Sequence, residues 1–109
     1  MITLEFLQGV NEYVCDENNQ QSIIINENNL LSALSVQQWY DDPKLLASAL
    51  MRSIAIGHGF QDGNKRTAAI VGNYICPFEC NDDIAEDCIL RIAKGELRDV
   101  EDIATILYS

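Results

Sequence analysis

Asp41-Asp42-Pro43-Lys44-Leu45-Leu46-Ala47-Ser48-Ala49-Leu50-Met51-Arg52-Ser53-Ile54-Ala55-Ile56-Gly57 is the stretch that decides the fold. It opens on the clearest helix start in the chain. Aspartate accepts the free amides of a first turn, and proline fits there because its missing N–H is harmless. From that start Leu45, Leu46, Ala49, Leu50, Met51, Ile54 and Ala55 are apolar around most of the helical circumference. A helix of that kind is covered on nearly every side, so the spacing predicts the central helix of a bundle, ending at Gly57-His58-Gly59.

Outward from this helix, apolar residues recur at helical spacing almost throughout, and no segment shows the sustained alternation of a half-buried strand. A first helix is predicted from about Thr3 to Cys15, with Phe6, Leu7, Val10, Tyr13 and Val14 facing inward. Asp16 to Gln21 is polar and ends it, and Ser22-Ile23-Ile24-Ile25 is a loop with one apolar patch. A second helix follows an asparagine cap, with Leu30, Leu31, Leu34 and Val36 inward before Trp39 and Tyr40. After the central helix come three more: about Asn64 to Cys76 with Ala68, Ala69, Ile70, Val71 and Ile75, about Asp83 to Lys94 closed by Gly95, and about Val100 to Tyr108. The expectation is an all-α, compact six-helix bundle forming a single domain over residues 1–109. A turn-forming loop, Gln61-Asp62-Gly63-Asn64, sits between two of its central helices.

Seventeen acidic against seven basic residues give a formal charge of −10, a field that repels nucleic-acid backbones and anionic lipid surfaces. Direct nucleic-acid and membrane partners are therefore not expected. The opening Met1-Ile2-Thr3-Leu4-Glu5-Phe6-Leu7 has no basic region or cleavage pattern, and no apolar run approaches the roughly 18 residues of a membrane span. The expected location is cytoplasmic, where Cys15, Cys76, Cys80 and Cys88 read as reduced thiols. Cys76-Pro77-Phe78-Glu79-Cys80 offers half a zinc site, but the one histidine, His58, belongs to a different motif. Trp39 and Tyr40 beside Asp41-Asp42 offer part of a partner groove, although loop aromatics more often pack on the nearest helix.

That motif is His58-Gly59-Phe60-Gln61-Asp62-Gly63-Asn64-Lys65-Arg66. It brings a histidine, a carboxylate, two glycines and two cations to a helix start, where unpaired amides and the positive end of the helix dipole receive an anion. Gly63 lets backbone approach closely. Lys65 and Arg66 are unfavourable at that helix end unless an anion joins them, and arginine grips phosphate oxygens through paired hydrogen bonds. Asp62 stands where a magnesium ion shared with substrate phosphates is expected, and His58, with an ordinary pKa of about 6.5, suits removal of a proton from an attacking hydroxyl. The competing reading of the same residues is a capped, solvated turn after an apolar helix.

Continued through Thr67-Ala68, the motif resembles the signature of the Fic/Doc family in its Doc (death-on-curing) form. The helix before it shares the resemblance, and Asp83 to Tyr108, with Lys94-Gly95-Glu96, looks like the end of Doc proteins. The resemblance implies an all-α fold in which His58 is the general base and Phe60 anchors the loop in the core. It further implies that Asp62 holds magnesium, while Gly63, Asn64, Lys65 and Arg66 cradle the phosphates of ATP or another nucleoside triphosphate.

Two positions bear on the reaction. Fic adenylyl transferases usually carry glycine in place of Lys65 and a second arginine in place of Ala69. Both differences resemble Doc, whose lysine goes with nucleotide bound in the opposite sense, so that the γ-phosphate meets the target hydroxyl. The resemblance thus implies a toxin of a toxin–antitoxin system: a phosphotransferase acting on Ser/Thr of a protein, elongation factor Tu in the Doc case, with inhibition of translation. Control would come from a separate antitoxin, because no inhibitory Ser/Thr-x-x-x-Glu-[Gly/Asn] helix is apparent. The chain departs from the phage Doc pattern at Gly63, where that pattern has alanine, and at Ile56, where it has arginine; residues 76–82 match the family poorly. Adenylyl or other nucleotidyl transfer is the alternative reaction, and a non-catalytic binding module is the alternative to any reaction.

Overall fold

The computed structural model describes residues 1–109 and is all-helical. Its elements are α1 (Leu4–Glu17), α2 (Glu27–Ser35), a 3-10 turn (Val36–Gln38), α3 (Pro43–Gly57), α4 (Asn64–Ile75), α5 (Asp82–Ala93) and α6 (Val100–Leu107). α3 is the central element, packing against α2, α4, α5 and α6, while α1 lies on α4 and α2. Ala47, Ala49, Leu50, Met51, Ile54 and Ala55 of α3 are all buried, as a helix apolar on most of its circumference requires. Around them Leu7, Leu30, Phe60, Ala68, Val71, Ile92, Ile103 and Leu107 complete one contiguous core.

Local chemistry fixes the ends of the helices. The side chains of Thr3, Asn26, Asp42, Asn81 and Asp99 each accept a backbone N–H in the first turn of α1, α2, α3, α5 and α6. Thr3 is thus the cap of α1 rather than its first residue, and α5 starts at Asp82 because Asn81 caps it. α5 closes with Gly95 at φ 78°, Gly95 N–H donating to Ile92 O and Glu96 N–H to Arg91 O, the paired bonds of a Schellman cap.

Two expected inward positions are corrected. Tyr13 is 61% exposed and Leu31 47% exposed, because α1 and α2 each turn a different stripe to the core. In α1 that stripe is Leu7, Asn11, Val14 and Cys15, with a buried asparagine where periodicity calls for an apolar residue. Trp39 stands out from the 3-10 turn rather than packing on the nearest helix. The apolar loop Ser22–Ile25 pairs with the chain after α3: Ile25 and Asn26 N–H both donate to Gly59 O, Gln61 N–H donates to Ile23 O, and Ile24 and Phe60 form an isolated antiparallel bridge. No helix is long and apolar enough to cross a membrane.

Candidate functional site

The loop from His58 to Gly63 leaves the central helix and delivers the chain to the start of α4. His58 caps α3 in the left-handed region, φ 49° and ψ 44°, which costs a non-glycine residue about 1–2 kcal/mol. Its neighbours hold it there. Asn29 Nδ2 donates to Gly57 O at 2.6 Å, and Gly59 O accepts the two amides from residues 25 and 26. The imidazole is exposed. Gly59 is buried so tightly that a Cβ there would overlap the Leu30 side chain.

Phe60 is fully buried, and Asn64 locks its backbone from both sides. Phe60 N–H donates to Asn64 Oδ1 at 3.1 Å, and Asn64 Nδ2 donates to Phe60 O at 2.8 Å. The Asn64 side chain is therefore committed to loop closure, and what it can offer an anion is its backbone N–H. Gly63 precedes α4 at φ 79°, a conformation that favours glycine, and a Cβ there would lie 3.1 Å from Asn11 Nδ2 and from Val14 Cγ1.

α4 has no side-chain cap, so its first amides carry no protein partner of that kind. Lys65 and Arg66 are exposed in its first turn. The one ion pair in the protein joins Lys44 and Glu79 at 3.1 Å, so neither cation at the α4 start is neutralised by a carboxylate. Gly63, Asn64, Lys65 and Arg66 line a polar cleft of about 350 Å³ whose other wall is the end of α1 and the residues after it, Val14, Asn18 and Gln20. The structure thus brings four of the expected phosphate-binding positions to one opening. His58 and Asp62 lie outside that lining. Lys65 and Arg66 also stand at one end of a larger, mostly apolar groove of about 700 Å³ between α4 and α5, which includes Ala69 and Tyr74.

Asp62 is half-buried, and no group of three or more His, Cys, Asp or Glu side chains converges anywhere to hold a metal by itself. A single hard carboxylate fits a magnesium ion that arrives with phosphate oxygens as its other ligands, and does not fit a resident metal. Behind the loop, burial pushes the Cys15 thiol up, and the charge of Asp62 pushes it further, so Cys15 stays a neutral thiol. All four cysteines are unpaired.

Sequence periodicity missed α1 as a contributor. Asn11 reaches the loop from its inner face, and Asn18 and Gln20 form part of the cleft. The available signal was an asparagine at a core position of an amphipathic helix, since a buried amide must find partners.

A scan against family models matches residues 6–76 to the model described as the Fic/DOC family. The matched span runs from α1 through the end of α4 and contains the whole loop, the α4 start and both walls of the cleft; α5 and α6 lie beyond it. Searches of curated proteins and of solved structures find no match.

Proposed function

This chain belongs to the Fic/Doc family, and on that premise we propose that it is a Doc-type toxin that transfers the γ-phosphate of a nucleoside triphosphate to a Ser or Thr hydroxyl of a protein. The observation that carries the proposal is the unpaired Lys65–Arg66 pair beside uncapped amides in a polar cleft. In a protein of net charge −10, two unneutralised cations at a helix start are explained by a polyanionic ligand. The family transfers nucleotidyl or phosphoryl groups. Lys65 in place of glycine and Ala69 in place of a second arginine favour the phosphoryl reaction here.

In this mechanism the α4 amides, Lys65 and Arg66 bind and orient the phosphates, and their charge offsets the negative charge of the transferring group. Magnesium carried with the nucleotide, with Asp62 among its ligands, would supply further charge neutralisation. His58 takes the proton of the target hydroxyl as its oxygen bonds to the γ-phosphorus; the bond to the β-phosphate oxygen breaks, and nucleoside diphosphate leaves. By resemblance to Doc, the target is elongation factor Tu and the controlling partner is a separate antitoxin.

The test is incubation of the protein and its His58→Ala variant with bacterial extract and ATP labelled at either the γ- or the α-phosphate. Label from γ alone, lost in the variant, is the expected outcome. Label from α would establish nucleotidyl transfer, and no label with a biological effect indifferent to His58→Ala would establish a binding module.

A further inference from the structure

Asn11 lies in the middle of α1, far in sequence from the loop, and is fully buried. A buried primary amide is costly unless its donors and acceptor are satisfied. Here they are. Nδ2 donates to the backbone O of Asp62 at 2.9 Å and to Thr67 Oγ1 at 3.2 Å; Oδ1 accepts from Ser22 Oγ and from Cys15 Sγ at 3.5 Å. The two groups that Nδ2 engages flank the anion-binding run, Asp62 immediately before Gly63 and Thr67 immediately after Arg66. Gly63 packs so close to this amide that no Cβ fits there without movement.

A leucine at position 11 would continue the core stripe of Leu7, Val14 and Cys15 and bury more apolar surface. The amide instead joins three elements: α1, the segment around Ser22 that runs on to pair with Gly59 and Gln61, and the loop-to-α4 junction. We propose that Asn11 is a positioning residue of the site. It fixes the position of Asp62 relative to the α4 start by holding the Asp62 carbonyl, while its second bond, to the Thr67 hydroxyl, ties the same amide to α4. Asp62 has no helix of its own; its carbonyl is held by this amide and, more weakly, by Cys15 Sγ at 3.7 Å. Losing the clamp frees the Asp62 backbone, whereas losing the Thr67 hydroxyl alone leaves the Asp62 contact in place.

The inference rests on the phosphoryl-transfer reading for what Asp62 holds, but not for the clamp itself, and two readouts separate them. Asn11→Ala and Thr67→Val are compared with the parent by hydrogen exchange of the amides of residues 61–66. They are also compared by the magnesium concentration that half-saturates binding of a fluorescent ATP analogue. Outer-sphere partners of a metal ligand typically change metal affinity about 10–100-fold, so Asn11→Ala is expected to raise the half-saturating magnesium concentration about tenfold. It is also expected to speed exchange across 61–66, with magnesium-free nucleotide affinity held within about threefold, since Lys65 and Arg66 remain. Thr67→Val is expected to leave both readouts near the parent despite a comparable loss of thermal stability. Equal effects of the two variants on exchange and on magnesium would overturn the clamp and leave Asn11 a packing residue. Faster exchange in Asn11→Ala alone, with no nucleotide binding by the parent, would keep the clamp and overturn the phosphate reading. An Asn11→Ala chain too unstable to assay is replaced by Asn11→Ser, expected to show the same pattern at smaller amplitude.

Discussion

Gly59→Ala places a methyl group on the Leu30 side chain, in a loop where only the next residue, Phe60, anchors in the core. Gly59 is outside the left-handed φ region, so the cost is entirely one of space. Leu30 is 1% exposed and has nowhere to rotate. Overpacking of a closed core costs about 1–3 kcal/mol. The other escape is for α2 to draw back, but its approach segment is tied to the same residue through Ile25 N–H and Asn26 N–H on Gly59 O, at 2.9 and 3.1 Å. Losing one such bond adds about 1 kcal/mol, so the substitution is expected to destabilise by about 2–4 kcal/mol.

The assay that isolates this cause is a double-mutant cycle read by urea unfolding. Leu30→Ala alone opens a cavity and costs about 2–5 kcal/mol. In the double variant the new methyl enters that cavity, so the total falls below the sum of the single effects by about 1–3 kcal/mol. Because Gly59 separates His58 from Phe60, Gly59→Ala is also expected to lower transfer activity more than its folded fraction explains. Additivity within about 0.5 kcal/mol would refute the steric account and show that the backbone absorbs the methyl elsewhere.

Lys65→Met and Arg66→Met are each expected to weaken nucleotide binding about ten- to hundredfold, the worth of a charge-assisted hydrogen bond, measured by calorimetric titration. The same substitutions are expected to leave the thermal midpoint level or raise it, since neither cation is paired and both oppose the helix dipole; a lowered midpoint would count against an unneutralised site. Burial pushes the Cys88 thiol up to about 11 from an ordinary value of 9.0, so its favourable contribution is fully present below about pH 9 and is lost as pH rises through about 11. Urea stability is therefore expected to fall across that window, and Cys88→Ala to flatten part of the slope; an unchanged slope would place the alkaline loss elsewhere. The Tyr108 hydroxyl donates to Cys76 O at 2.7 Å, tying the chain end to the end of α4, and burial raises its pKa far above the usual phenol. Tyr108→Phe is expected to cost about 1–2 kcal/mol in urea unfolding and to remove the phenol that resists ionisation from the ultraviolet titration of the folded protein.

The central helix was legible because three independent signals agreed on it: the Asp42 cap, Pro43 in the first turn and an all-round apolar pattern. The loop from His58 to Arg66 was legible because glycines and cations at a helix start have few structural uses. The orientation of α1 was not. Phe6, Val10 and Tyr13 form a plausible apolar face, and the Phe6 ring does lie 4.9 Å from that of Tyr74, yet the buried stripe is rotated toward Asn11. Periodicity counts apolar residues and gives a buried asparagine no weight, so it found Leu7 and Val14 but set Tyr13 inward and left Asn11 out of the face. The role of Asn64 was hidden for a similar reason: a side chain that binds backbone leaves no pattern in spacing.

The position of Asn11 bears on how the loop relates to the rest of the chain. His58 to Arg66 contains the charges and the glycines, but, apart from Asn64 on the Phe60 backbone, not the groups that hold them in place. Residues 23–26 hold Gly59 and Gln61 by backbone bonds; Asn29 holds Gly57; Asn11 holds Asp62 and Thr67. Each of these tethers comes from α1, α2 or the segment between them. The unit that must fold to set this loop is therefore the first four helices together, and the span matched by the family model covers most of this unit. α5 and α6 enter this picture differently. Both close the core against α3, and α5 forms the second wall of the apolar groove at Lys65 and Arg66, so variation in α5 can alter what lies beside those two cations without disturbing the tethers.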